Sequence, residues 1–333
     1  MPAVQPHLPT VRLHVVTGKG GTGKTTVASA LALAMARRGR RVLLAEVEGR
    51  QGISQTFDIA PLGHRETRIL HDRTGGELWG LSVDAKESLR EYLQKFYKVG
   101  RAMTVLDRFG AVDFATTIAP GVRDVLLIGK VYEAAGRRAG KGRGPVYDAV
   151  VLDAPPTGRV ARFLNVNAEV ADVARVGPIR TQADSITRVL RSHTTAVHIV
   201  TLLEEMPVQE TVDAQAELRA VGLPVGAIVV NQLRDPMLSA KALKQVSSSR
   251  TKRLAAGVAA DLESVRVRVT SGLVEGLLDD ARQHADRVAL ELEQDAILQD
   301  LGRLMVRLPL LPEGTDAGGI TVLADALADQ GML

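Results

Sequence analysis

The sequence predicts an α/β fold: a doubly wound, mostly parallel sheet flanked by helices, with a helical subdomain inserted. Three observations carry this. Short apolar runs rich in Val, Leu and Ile recur along the chain with little polar alternation, the pattern of strands covered on both faces. Segments of helical periodicity lie between them, which gives repeated β-α order. The first run ends in a glycine-rich loop that opens directly into an Ala/Leu-rich segment, so strand, loop and helix follow one another within a few dozen residues.

Taken in order, the expected strands are Val11–Val16, Arg41–Val47, Trp79–Val83, Tyr147–Leu152, Val197–Leu203, Val225–Val230 and Leu304–Leu308. The first helix runs from Lys24 to Arg38 and stops at Gly39, where a C-cap glycine belongs. Leu89, Tyr92, Leu93, Phe96 and Tyr97 recur at i, i+3, i+4 spacing, Val208–Val221 forms a helix ending before Gly222 and Pro224, and Val274–Leu301 is long and amphipathic. Two stretches, at about 86–144 and 166–195, exceed what simple crossovers require. They are expected to form a helical subdomain above the carboxyl edge of the sheet, where ligands bind in this architecture. Gly136–Pro145, dense in Gly and Pro, reads as a flexible linker. Residues 1–333 fit one domain.

Composition excludes several functions. Of the 333 residues 45% are hydrophobic and none is cysteine, so there is no disulfide, no zinc or arsenite thiolate site and no cysteine nucleophile. A net charge of +4 is small for this length and argues against nucleic-acid binding, which needs Lys and Arg clustered on a face. The most basic run, Lys241–Arg253, reads as a solvated surface segment. No signal peptide or bilayer-length apolar run is present and there is no membrane anchor, so a soluble, cytoplasmic protein is expected.

The loop Gly18-Lys19-Gly20-Gly21-Thr22-Gly23-Lys24-Thr25 satisfies Gly-x-x-x-x-Gly-Lys-Thr in the required context, after a strand and at a helix start. Successive backbone N–H groups in such a loop form an anion nest, and the helix N-terminus adds partial positive charge. Lys24 is expected on the β- and γ-phosphates of ATP, Thr25 on Mg²⁺, and Thr26 on the α-phosphate. Asp153, at the end of an apolar strand, is the second candidate metal residue, holding Mg²⁺ through water.

The early lysine in Lys19-Gly20-Gly21-Thr22-Gly23-Lys24-Thr25-Thr26 and the run Asp153-Ala154-Pro155-Pro156-Thr157-Gly158-Arg159 resemble the deviant P-loop ATPases of the arsenite-pump and tail-anchored-protein targeting family. The resemblance extends from about Val11 to Leu327 and implies a P-loop NTPase core. It implies a face-to-face dimer, homomeric or with a paralogous ATPase, in which Lys19 reaches the partner's phosphates. By the same resemblance Asp153-to-Gly158 is a switch II, with Arg159 in place of the family's histidine. Ala45–Gln51 is a switch I in which Glu48 replaces the water-positioning aspartate by ungapped counting from Leu44, with Glu46 as a rival. Asn231 reads adenine through its amide, Glu204 is a second nucleotide contact, and Pro309 and Pro312 lie in the loop covering the base. Glu48, Lys24 and Lys19 are thus the candidate catalytic residues of a Mg-ATP-hydrolysing dimeric switch, slowed by the longer Glu48 side chain, that acts on an unidentified protein or cargo at the helical subdomain. A non-hydrolysing ATP-binding scaffold or regulatory subunit is one alternative. A targeting factor for client helices is another, set against methionines that are few and dispersed.

Overall fold

A computed structural model describes residues 7–47, 49–97, 120–140, 144–166, 168, 178–248, 251–312 and 314–333. Its centre is an eight-stranded sheet in the order β3-β4-β2-β5-β1-β6-β7-β8. The strands are β1 (Leu13–Gly18), β2 (Arg41–Val47), β3 (Thr67–His71), β4 (Glu77–Val83), β5 (Ala149–Asp153), β6 (Thr195–Thr201), β7 (Val225–Leu233) and β8 (Met305–Pro309). All neighbours are parallel except β3, which pairs antiparallel with β4 at the edge. β1, β5 and β6 are buried along their whole length, as expected of strands with helices on both faces.

Among the described residues, α1 (Lys24–Ala36), α2 (Gly52–Thr56) and α11 (Ala317–Asp329) cover one face. The other is covered by α4 (Pro120–Gly136), α5 (Thr157–Leu164), α6 (Pro178–Leu190) and α7 (Glu205–Ala220), with α3 (Ala85–Tyr97) beside α4. Between β7 and β8 the chain forms α8 (Ala240–Val246), α9 (Thr251–Ser264) and α10 (Ser271–Gln299). The result is a three-layer sandwich with one apolar core on each face of the sheet. α1 is buried from Val27 to Ala36, which explains its Ala-rich composition: a helix wedged between sheet and α11 has no solvated face on which to place charge.

Three expectations need amendment. β3 was not expected from the sequence because Thr-Arg-Ile-Leu-His is a polar, half-exposed edge strand without an apolar run. The Gly136–Pro145 stretch is not simply a linker. Arg138 pairs with Pro145 in an antiparallel bridge, and Val146 N–H donates to the Arg137 carbonyl at 2.9 Å. Arg137 and Tyr147 then both bind Glu66, the tyrosine at 2.7 Å. The described part of the basic run at Lys241–Arg253 lies on α8 and the start of α9 and its described side chains are mostly exposed, so the solvated segment expected there is largely helical.

The strand order positions the site. The chain leaves β1 through α1 toward β2, on one side of β5, whereas the connection from β5 crosses to β6 on the other side of β1. The two adjacent strands therefore feed opposite directions, which opens a crevice at their carboxyl ends.

Candidate nucleotide site

The loop after β1 is shaped by three glycines with φ between +86° and +153°: Gly18, Gly21 and Gly23. At two of them the constraint is also spatial. A Cβ on Gly18 would lie 2.1 Å from the Val200 carbonyl of β6, and one on Gly23 would lie 2.4 Å from Asn231 Nδ2. At Gly20 and Gly21 a Cβ would meet nothing within 4 Å, so the loop's crest faces open space. The loop is closed by Thr22 Oγ1, which donates to the Lys19 carbonyl at 2.9 Å. A glycine-rich loop of this shape, opening into a helix N-terminus, fits a polyphosphate tail.

Lys24 opens α1, is buried, and donates from Nζ to the Lys19 carbonyl at 3.0 Å. Burial lowers its pKa, while the Asp153 carboxylate holds it up. Thr25 Oγ1 donates to Asp153 Oδ2 at 2.6 Å. Asp153 ends β5 in register with Val16 of β1, and the next amide, Ala154, donates back to the Val16 carbonyl at 2.9 Å. Its carboxyl pKa is raised by burial, against the Thr25 hydrogen bond and the positive charges of Lys24 and Arg50. The other oxygen, Oδ1, is buried with no hydrogen-bond partner. A hydroxyl, a strand-end carboxylate and an orphaned buried oxygen beside an anion nest suit Mg²⁺, which takes one or two protein oxygens and draws the rest from phosphate and water. Among the described residues no cluster of three or more His, Asp or Glu forms a metal cage.

Asn231 reaches the loop from β7. The β7–β8 register shifts between Val230 and Leu233, and Gln232 has φ +57°; this irregularity re-aims the strand end. Buried Asn231 donates from Nδ2 to the Thr22 carbonyl at 2.9 Å, so its amide braces the loop from behind. Thr26 is half-buried in the first turn of α1. Glu204 and Pro312 lie beyond the carboxyl ends of β6 and β8 and Pro309 is the last residue of β8, all exposed, Glu204 at the N-cap of α7 without a side-chain cap bond. They share the edge of the sheet with the loop but stand outside its hydrogen-bonded cluster. Glu48 lies outside the described residues.

Two acids matter more than their sequence context suggested. Glu46, fully buried in β2, accepts the N–H of Gln51 at 2.9 Å and that of Ile53 at 3.2 Å, one on each carboxylate oxygen. It thereby anchors the turn from β2 into α2. That turn presses on the metal-side threonine: a Cβ on Gly52 would lie 2.9 Å from Thr25 Cγ2. Glu210 on α7 binds both Lys19, at 3.0 Å, and the hydroxyl of Thr157 at the start of α5, at 2.9 Å. No motif marks either role. Glu46 could have been suspected because a charged residue closing an apolar strand must find partners.

The comparisons with known proteins agree with this geometry. A family model described as anion-transporting ATPase matches residues 11–191. The chain is 46% identical over 325 residues to ATPase BagA of Mycobacterium tuberculosis, covering 97% of this chain and 94% of that protein. It is 28% identical over 264 residues to a putative arsenical pump-driving ATPase of Chlorobaculum tepidum, covering 68% and 62%. A putative arsenical pump-driving ATPase of Aquifex aeolicus is 29% identical over 157 residues, covering 46% and 48%. The family match takes in the loop, Asp153 and the crevice between β1 and β5, and one relative aligns along almost the full length of both chains. This chain therefore belongs to the anion-transporting ATPase family, whose members are ATP-binding ATPases.

Proposed function

We propose that the chain is a Mg-ATP-dependent ATPase that works as a dimeric switch. One observation carries the proposal: the Thr25 hydroxyl and the Asp153 carboxylate meet at 2.6 Å at the base of the anion nest, with Asp153 Oδ1 left unpartnered. Thr25 and Asp153 would hold Mg²⁺ here, and the ion would supply charge neutralisation for phosphoryl transfer. The chain's own residues do the rest. Backbone amides from Gly18 to Thr26 cradle the phosphates of ATP, and Lys24 exchanges the Lys19 carbonyl for a phosphate oxygen. Thr25 and Asp153 hold the metal side. Asn231 keeps the loop in shape, while Glu204, Pro309 and Pro312 border the space for the base.

Glu48 is the proposed water-orienting group. Its rival Glu46 already has both oxygens engaged by backbone amides, and releasing them would leave buried donors unpaired. Lys19 adds a second positive charge, across a dimer or within the subunit. Nucleotide state then reshapes the helices around α3, α4 and α6, where a partner or cargo engages. Any such cargo is held without thiolates, since the chain has no cysteine.

ATP turnover by the purified chain tests this. Wild type should hydrolyse ATP only with Mg²⁺, and Lys24→Ala and Glu48→Gln should each lower kcat at least about tenfold, the order expected for a lost charge or base in phosphoryl transfer. A wild-type rate from Glu48→Gln removes the catalytic assignment. Mg-ATP binding without turnover replaces the ATPase reading with that of a nucleotide-binding scaffold. Sedimentation with and without Mg-ATP tests the dimer.

A further inference from the structure

Glu210 lies early in α7 and joins that helix to two other parts of the site. One carboxylate oxygen takes Lys19 Nζ at 3.0 Å. The other takes Thr157 Oγ1 at 2.9 Å. Thr157 is buried and begins α5, four residues after the metal-side Asp153. Its neighbourhood is tied to the loop again by Thr17 Oγ1, which donates to the Pro155 carbonyl at 2.7 Å.

The consequence for the loop is that both of its lysines have a partner within the subunit. Lys24 places its ammonium on the Lys19 carbonyl, and Lys19 places its own on Glu210. Each ammonium has further donors, but only Lys19 is tied to an opposite full charge. Lys24 needs only a nearby oxygen in exchange. Lys19 must leave a full negative charge, and that charge is also held in place by Thr157. The Lys19 and Glu210 side chains are 30% and 35% exposed, so water screens the pair and it can open at modest cost.

We propose that Glu210 is a positioning residue for Lys19: it holds the loop's first lysine on its own subunit and releases it when Thr157 and the segment after Asp153 move. This rests on the loop's being an ATP site. It makes the first lysine conditional, available for the terminal phosphate only once the metal-side segment has shifted. A plain stabilising ion pair on α7 would be indifferent to which nucleotide is present.

A double-mutant cycle read by calorimetry separates the two. Wild type, Glu210→Gln, Lys19→Ala and the double variant are titrated with Mg²⁺ and either a non-hydrolysable ATP analogue or ADP. Glu210→Gln should tighten binding of the triphosphate about two- to fivefold, the range of a partly exposed ion pair. It should leave ADP binding unchanged and have no effect once Lys19 is alanine. Thr157→Val should shift triphosphate binding in the same direction. The proposal is overturned if Glu210→Gln gives no gain, or if the gain is equal for ADP or persists without Lys19. Folded wild type that binds neither nucleotide removes the ATP-site reading and this inference together. Wild type that binds both without coupling between Glu210 and Lys19 removes the inference alone.

Discussion

Gly23 stands where the phosphate loop turns into α1, at φ +86°, with its α-carbon facing Asn231. An alanine there adopts a left-handed backbone at a cost of about 1–2 kcal/mol and brings a methyl to 2.4 Å from the amide that braces Thr22. Gly23→Ala should therefore lower nucleotide affinity by at least about tenfold, the equivalent of 1.4 kcal/mol; calorimetry at matched folded fraction measures it. Asp153 makes the opposite kind of prediction. Burial raises its pKa, so its carboxylate is a charge that the nucleotide-free fold tolerates rather than gains from. Asp153→Asn keeps an acceptor for Thr25 and removes that charge. Its melting temperature without ligand should match or exceed wild type, while the upward shift produced by Mg-ATP should vanish. A variant that melts lower without ligand, or keeps the full Mg-ATP shift, would show that Asp153 is structural.

At the scale of elements, the β2-to-α2 connection depends on one side chain. Glu46 answers two backbone donors, and Gln51, at φ +55°, is held in turn by Leu62 and Ser54 through its own amide. Glu46→Ala leaves two N–H groups without partners in or near the core, at about 1–3 kcal/mol each, so the variant should lose roughly 2–6 kcal/mol in urea denaturation. Amide exchange at residues 51–53 should rise first, because the two N–H groups set free belong to that turn. An unchanged exchange rate there would mean that the turn holds its shape without Glu46. The same element shows where sequence reasoning reaches its limit: an acid two residues from the expected catalytic glutamate is legible as a rival for the role, but that it caps a turn depends on where residues 51 and 53 fold back. β3, α8 and α9 were equally hidden, the first for want of apolar residues, the helices because exposed helices show weak periodicity, whereas α10 matches the long amphipathic stretch expected at Val274–Leu301.

Across the whole molecule, an imidazole pair lies inside the sheet and carries a pH dependence. His14 on β1 and His198 on β6 are fully buried, with Nδ1 of the first 3.1 Å from Nε2 of the second. His198 Nδ1 accepts the Ala227 N–H at 3.1 Å, so the ring's proton sits on Nε2 and points at His14. Burial pushes the His198 pKa from 6.5 down to about 4, and His14 is also lowered well below its ordinary value. A base whose pKa falls on folding favours the unfolded chain once that chain protonates. Stability should be flat above pH 6.5 and fall between pH 6.5 and about 4. The slope contributed is up to about 1.4 kcal/mol per pH unit for each histidine. Urea midpoints at pH 7.5, 6 and 5 should show the decline, and His198→Gln should flatten it. Equal slopes for the two proteins would place the acid sensitivity elsewhere.

Features confined to consecutive residues were legible in the chain alone. The phosphate loop, the helix it opens and the run of buried strands are of this kind, because backbone conformation and two-sided burial constrain residue type position by position. Strand order, and with it the placement of Asp153 beside Thr25 and of Asn231 behind Thr22, came only with the folded chain. So did the bond from Glu210 to Lys19 and Thr157. Those contacts join segments far apart in the chain, and no spacing rule encodes them; packing of the crossovers on the two faces of the sheet decides which strand ends meet.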